Sequence, residues 1–176
     1  MASGSSGGGG AGGSGHPTAT GGEPPRPPHL IRPDEVDAWL ADSANKRVTY
    51  HRTTHESAEA ILRDGVDITR SWIGSFGQGF YSATIGEPFD GPAELPVAIR
   101  LQRPFIGHFN EVESYMELLT RRLGRGDARL TPAVAAAIRW HLLALQYDGI
   151  VVADAGGDGV DFVIALEAAS VKVVRS

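Results

Sequence analysis

From residue 33 onward, apolar positions fall into short alternating runs interrupted by stretches with helical spacing, the pattern of strands interleaved with helices. Pro33 followed by Asp34 and Glu35 predicts a helix start, with Val36, Trp39 and Leu40 on one face. Residues 48–52 predict a short strand. Thr53 and Glu56 predict a capping box for a helix carrying Ala58, Ile61 and Leu62, and Gly65 ends it. Between residues 67 and 78 the periodicity fails, and Gly74, Gly77 and Gly79 predict a loop that turns tightly into a strand over 80–84. Further strands are predicted over 96–101 and 104–109, and a helix over 111–123. Thr131-Pro132 then starts what the spacing of Val134, Ile138, Leu142 and Leu145 predicts to be the longest helix, running toward Asp148-Gly149. Runs over 150–153, 160–166 and 171–175 predict three closing strands.

Composition decides how much of the chain can use this pattern. The 176 residues fit one domain plus unstructured sequence. Residues 1–22 are dominated by glycine with Ser, Thr and Ala, and residues 23–33 by proline; neither stretch has the apolar surface to offset the entropy of ordering it. Residues 1–32 are therefore expected to be a disordered linker, flexible then stiffer, and residues 33–176 the folded domain. The segment after Met1 has neither a basic start nor an apolar run, so it does not read as a signal peptide. No apolar stretch is long enough to span a membrane, so the expectation is a soluble protein or a soluble piece of a longer one. The absence of cysteine excludes disulfides and thiolate metal sites. A net charge of −5 argues against a nonspecific nucleic-acid binder. Arg121, Arg122, Arg125 and Arg129 form a local basic run that reads as a solvated helix end and its loop, with a substrate-facing patch as the alternative.

Three short blocks carry the candidate chemistry. Tyr50-His51-Arg52-Thr53-Thr54 puts a histidine at a strand end, Gly77-Gln78-Gly79-Phe80-Tyr81-Ser82-Ala83 puts a tyrosine on a strand after a tight turn, and Val160-Asp161-Phe162-Val163-Ile164 puts a carboxylate at a strand start. A histidine can fix a hydroxyl, an aromatic ring can stack on a flat heterocycle, and a carboxylate can stabilise an oxocarbenium-like centre. His51 and His55 stand four apart beside Glu56, but a strand-to-helix turn separates them, so that spacing does not make a metal site and none is expected. Ser82, His141 and Asp161 would be the members of a hydrolase triad, yet no Gly-x-Ser-x-Gly elbow accompanies them.

In order and local context the three blocks resemble the His-Tyr-acid signature of ADP-ribosyltransferases, the diphtheria-toxin and poly(ADP-ribose) polymerase-like branch. Tyr147-Asp148-Gly149-Ile150-Val151-Val152 also resembles a stretch common in bacterial relatives. The resemblance spans residues 48–174. It implies an α+β fold with a split, mostly antiparallel sheet, flanking helices, and NAD in the cleft between the halves. The activity it implies is NAD-dependent mono-ADP-ribosyl transfer to a macromolecule, with NAD as substrate and no metal.

Residue by residue, the resemblance implies that His51 meets the adenosine-side ribose, the backbone of Arg52 holds the nicotinamide amide and Thr53 bonds a ribose hydroxyl. Tyr81, seated by the turn Gly79-Phe80, would stack on nicotinamide with Phe89 on the opposite face, small Gly77 and Gly79 would let the ligand lie against the backbone, and Asp161 would be catalytic. Arg52 stands where the family has glycine, which brings a guanidinium toward phosphate. Asp161 stands where the family has glutamate, one methylene longer, with Asp158 and Glu167 as nearby alternatives. The Gly/Ser then Pro-rich lead resembles the junction before the C-terminal toxin domain of a secreted bacterial polymorphic toxin. This implies an effector acting in the cytoplasm of a target cell on a protein or nucleic-acid acceptor, neutralised in the producer by an immunity protein, with no membrane partner. The rival readings are an NAD-consuming RNA 2′-phosphotransferase, an NAD glycohydrolase, and a catalytically inactive NAD- or ADP-ribose-binding module.

Overall fold

In the computed structural model, which describes residues 26–70, 73–85, 90–155 and 159–175, the alternating runs pair into one large sheet and the helical runs pack on its faces. The order is β1 (Leu30–Ile31), a 3-10 turn (Pro33–Glu35) leading into α1 (Val36–Trp39), β2 (Val48–Thr53), α2 (His55–Asp64), β3 (Ile73–Gly74), β4 (Gly77–Gln78), β5 (Phe80–Ala83), β6 (Ala93–Ile99), β7 (Phe105–His108), α3 (Phe109–Leu123), α4 (Pro132–Ala144), β8 (Gly149–Ala153), β9 (Phe162–Ala165), a second 3-10 turn (Ala168–Ser170) and β10 (Val171–Val174). The eight-stranded sheet runs β1-β10-β6-β2-β5-β9-β8-β7, antiparallel except for the outermost pairs β1/β10 and β7/β8. β3 and β4 form a separate hairpin. The protein is thus α+β, with a mostly antiparallel sheet and flanking helices, as the resemblance implies. No helix among the described residues is long and apolar enough to cross a membrane.

Strand pleating sends successive side chains to opposite faces, and the two faces are covered differently. On one face Phe80, Leu95, Val97, Ile99, Val163 and Val173 pack with Ala58, Ile61 and Leu62 of α2. The other face is covered in two places. α1 lays Val36 and Leu40 on Ala98 of β6, while α3 and α4 lay Val112, Met116, Ile138 and Leu142 on Ile150, Val152 and Ile164 of β8 and β9. Each fully buried aliphatic side chain in these clusters stabilises the fold by roughly 1.5–3 kcal/mol. Between the two coverings, over β2 and β5, Tyr50, Arg52 and Tyr81 stay only half-buried.

Several boundaries differ from those the pattern predicts. Leu30 and Ile31, which composition places in the linker, pair with Val173 and Val174 as β1. Thr53 is still in the ladder, opposite Ala93, so the cap of α2 is Thr54, whose Oγ1 accepts the Ser57 N–H at 3.1 Å. Residues 67–78 hold a 3-10 turn (Ile68–Arg70) and the β3–β4 hairpin, elements too short to show a period. α4 begins on Thr131 as predicted but stops at Ala144, because Gln146 takes a φ of 64°; α3, at 15 residues, is the longer helix. Glu111 opens α3 by accepting the His108 N–H at 3.0 Å.

Candidate functional site

β2 is held unequally by its two neighbours. Against β6 it keeps register over its whole length, from Val48↔Ala98 to Thr53↔Ala93. Against β5 a single pair, Tyr50↔Ala83, is in register, and Ala83 in turn pairs with Phe162 of β9. The sheet therefore divides into two halves joined at the row Tyr50–Ala83–Phe162. Buried hydroxyls reinforce the joint: Thr49 Oγ1 lies 2.8 Å from Ser82 Oγ, which donates to the Val163 carbonyl at 2.9 Å. Since Ser82 spends its only proton on Val163, Thr49 is the donor in the first bond. Ser82 is fully buried in this chain of bonds, which gives it a structural use and removes it from the hydrolase triad.

Past the joint, where β2 and β5 part, the imidazole of His51 takes the place of the missing ladder. Its Nδ1 lies 2.7 Å from the Tyr81 carbonyl oxygen and its ring stacks on Phe80, centroids 4.2 Å apart. A carbonyl only accepts, so Nδ1 carries the proton. Burial holds the His51 pKa below its ordinary value of 6.5, which keeps the ring neutral at pH 7, only partly opposed by the bond to the Tyr81 carbonyl. Nε2 is then a fixed lone pair with no partner among the described residues, suited to accept from a hydroxyl.

Tyr81 faces the other way, into the strip between α1 and the α3/α4 pair. Its hydroxyl donates to the Gly77 carbonyl at 2.7 Å, and its ring lies so close to the β3–β4 hairpin that a Cβ on Gly74 would come within 2.5 Å of it. Burial pushes the phenol pKa well above its ordinary value, so the hydroxyl stays a donor. Gly79 is small for an internal reason: a Cβ there would meet Ile164 at 2.6 Å and the Ala165 carbonyl at 3.1 Å. A cavity of about 510 Å³, lined by Gly74, Ser75, Glu113, Met116, Glu117 and Arg121 among others, shares Gly74 with the wall behind Tyr81.

Asp161 stands just beyond the joint on the side away from His51. Its backbone bonds Thr84 in both directions, Thr84 N–H to the Asp161 carbonyl and Asp161 N–H to Thr84 Oγ1, each 3.0 Å. One carboxylate oxygen, Oδ1, accepts the Asp154 N–H at 3.0 Å and so steadies the turn after β8; Oδ2 makes no bond among the described residues. The structure thus sets the His51 imidazole on the Tyr81 backbone carbonyl, with the Tyr81 ring on the opposite face of the sheet, and sets Asp161 across the joining row from His51. Thr53 ends β2 with its side chain half-buried. Glu167 is exposed beyond β9, and Phe89 and Asp158 lie outside the described residues.

Arg52 shares the open strip with Tyr50 and Tyr81. Its Nε is 3.5 Å from Oε2 of Glu94, the residue directly opposite on β6, yet that buried nitrogen has no hydrogen-bond partner among the described residues. Sequence reasoning did not single out Tyr50 or Glu94 as site residues. The signal for Tyr50 was its alternation with Arg52; Glu94 becomes visible only once the register of β6 is known. Among the described residues no three His, Asp or Glu side chains are grouped to hold a metal ion. No protein-family model matches this chain, and no curated protein matches it.

Proposed function

We propose that this chain is an NAD-dependent mono-ADP-ribosyltransferase that modifies a macromolecular target, working as a secreted bacterial effector or toxin domain. The observation that carries the reading is the joint itself. The sheet parts between β2 and β5 where the three motif blocks meet, and His51 is held there as a neutral ring with its Nε2 lone pair free. A ribose hydroxyl can donate to Nε2, the ring of Tyr81 can support nicotinamide, and Arg52 offers an unsatisfied donor to phosphate. In the reaction the bond from ribose C1′ to the nicotinamide nitrogen breaks and its electron pair leaves with neutral nicotinamide. The acceptor's nucleophile bonds to C1′ and loses its proton, and the carboxylate of Asp161, through Oδ2, stabilises the positive charge that builds on the sugar.

Nicotinamide release from NAD, measured for the purified chain with and without a cell lysate and beside Asp161→Ala, tests this. Release that needs both the lysate and Asp161 is expected; release without lysate makes the protein a glycohydrolase. One observation favours an NAD- or ADP-ribose-binding module, namely that Asp161 already spends Oδ1 on the Asp154 backbone. Saturable NAD binding with no release under any condition would establish that reading and overturn the transferase.

A further inference from the structure

The arginine–carboxylate pairs of this protein are of two kinds. Arg100 donates from Nε to Asp42 at 2.8 Å, Arg63 from Nη2 to Asp64 at 2.7 Å, and Arg129 from Nη2 to Asp127 at 2.9 Å; these guanidiniums are hydrogen-bonded. The Arg52–Glu94 pair is open: 3.5 Å separates Nε from Oε2, no hydrogen bond joins the two, and Nε has no other partner among the described residues. Arg70 is also loosely paired, 3.4 Å from Asp67, but its side chain is 87% exposed and water can serve it. The Nε of Arg52 is buried, so water cannot, and an unmet buried donor is costly. Yet Arg52 is fixed by a continuous ladder from Val48 to Thr53, so its backbone cannot move to close the gap. A guanidinium held beside a partly exposed carboxylate, bonded to neither it nor solvent through Nε, is arranged for an acceptor that comes from outside.

We propose that Glu94 is a displaceable counter-ion: it balances the charge of Arg52 in the free protein and gives up the guanidinium to a phosphate of the bound dinucleotide. The dinucleotide's identity rests on the transferase reading above; the exchange on Arg52 requires only a phosphate. A phosphate has the oxygens and the charge to take the partly exposed guanidinium of Arg52, and it reaches the buried Nε–H only as the Glu94 carboxylate moves aside. Glu94 then sets how tightly the site holds its ligand, by repelling the incoming anion and competing for Arg52.

The test is equilibrium binding of inorganic pyrophosphate and, separately, of NAD to the wild-type chain, Glu94→Gln, Arg52→Gln, Arg52→Lys and the Glu94→Gln/Arg52→Gln double variant. Glu94→Gln is isosteric at a partly exposed position. It should tighten pyrophosphate and NAD about three- to fivefold, the worth of releasing a half-exposed ion pair. Arg52→Gln should weaken both by at least about tenfold, with Arg52→Lys between, and Glu94→Gln should confer no gain once Arg52 is gone. Unchanged or weaker pyrophosphate binding by Glu94→Gln, or the same gain in the Arg52→Gln background, overturns the proposal. Pyrophosphate binding that follows this pattern in a protein that never releases nicotinamide upholds the counter-ion and sinks the transferase. NAD turnover that ignores both substitutions does the reverse.

Discussion

The two edges of β2 make an informative comparison. Toward β6 the strand is zipped residue by residue, and the β6 side chains under α2, Leu95, Val97 and Ile99, are aliphatic and buried. Toward β5 a single pair holds, and the rest of the seam is made by side chains: the Thr49–Ser82–Val163 hydroxyl chain on one side of the pair and His51 on the other. A backbone ladder satisfies its own polar groups and leaves no room for anything else. Where the ladder stops, the freed carbonyls must find other donors. A histidine that answers one of them is left with a fixed tautomer and an aimed lone pair. His51 and the buried hydroxyls gather at the second edge because there the backbone leaves polar groups for side chains to meet, whereas Arg52 and Glu94 face each other across the first.

Breaking the first edge should cost the most stability. Leu95 of β6 pairs with His51 and is buried in the cluster under α2, and Leu95→Ala should lower unfolding free energy in a denaturant titration by about 2–5 kcal/mol while leaving pyrophosphate binding of the folded protein unchanged. The second edge should be weaker but more specific. Ser82→Ala takes the hydroxyl donor from the Val163 carbonyl and leaves Thr49 Oγ1 only its longer bond to the Val97 carbonyl at 3.5 Å, for a loss of about 1–3 kcal/mol. If that loss proves as large as the loss from Leu95→Ala, the contrast between the edges fails.

The smallest effect sharpens the comparison by pH. The His51 pKa is lowered on folding, so the unfolded chain binds more protons than the native one just below pH 6.5. Stability should therefore be complete above that value and fall as pH drops through it, by at most about 1.4 kcal/mol per pH unit. The decline should level off once the pH is below the folded pKa. His51→Gln should remove this part of the pH dependence. An unaltered profile in the variant would show that the ring is not the group responsible.

Much of the fold could be read in the sequence because it rests on local periods. The strands at β2, β5 and β8–β10 and the helices α2, α3 and α4 all show in the spacing of their apolar residues. β1 and the β3–β4 hairpin do not, since two-residue strands have no period and Leu30–Ile31 sits among prolines. The start of β6 was also hidden: Glu94 and Pro96 are poor strand residues, tolerated because β6 pairs with β10 only from Val97 onward. At the candidate site, His51 and Tyr81 could be found from their motif blocks. The partners that define their state could not: the Tyr81 carbonyl for His51, the hairpin for Tyr81 and Glu94 for Arg52 are all set by strand register, which no local pattern encodes. Gly79 was legible as a position demanding smallness, while the crowding that demands it comes from β9.

The pairing of β1 with β10 has a mechanical consequence. The two strands run parallel, so a pull on the chain before residue 30 loads them in shear, along the strand direction. Against that load stand the bonds from Val173 N–H to the His29 carbonyl and from Arg175 N–H to the Ile31 carbonyl, 2.8 and 2.9 Å. Among the described residues β1 pairs with β10 alone, so its departure would bare the outer edge of β10 and leave the pairing of β2 with β5 in place.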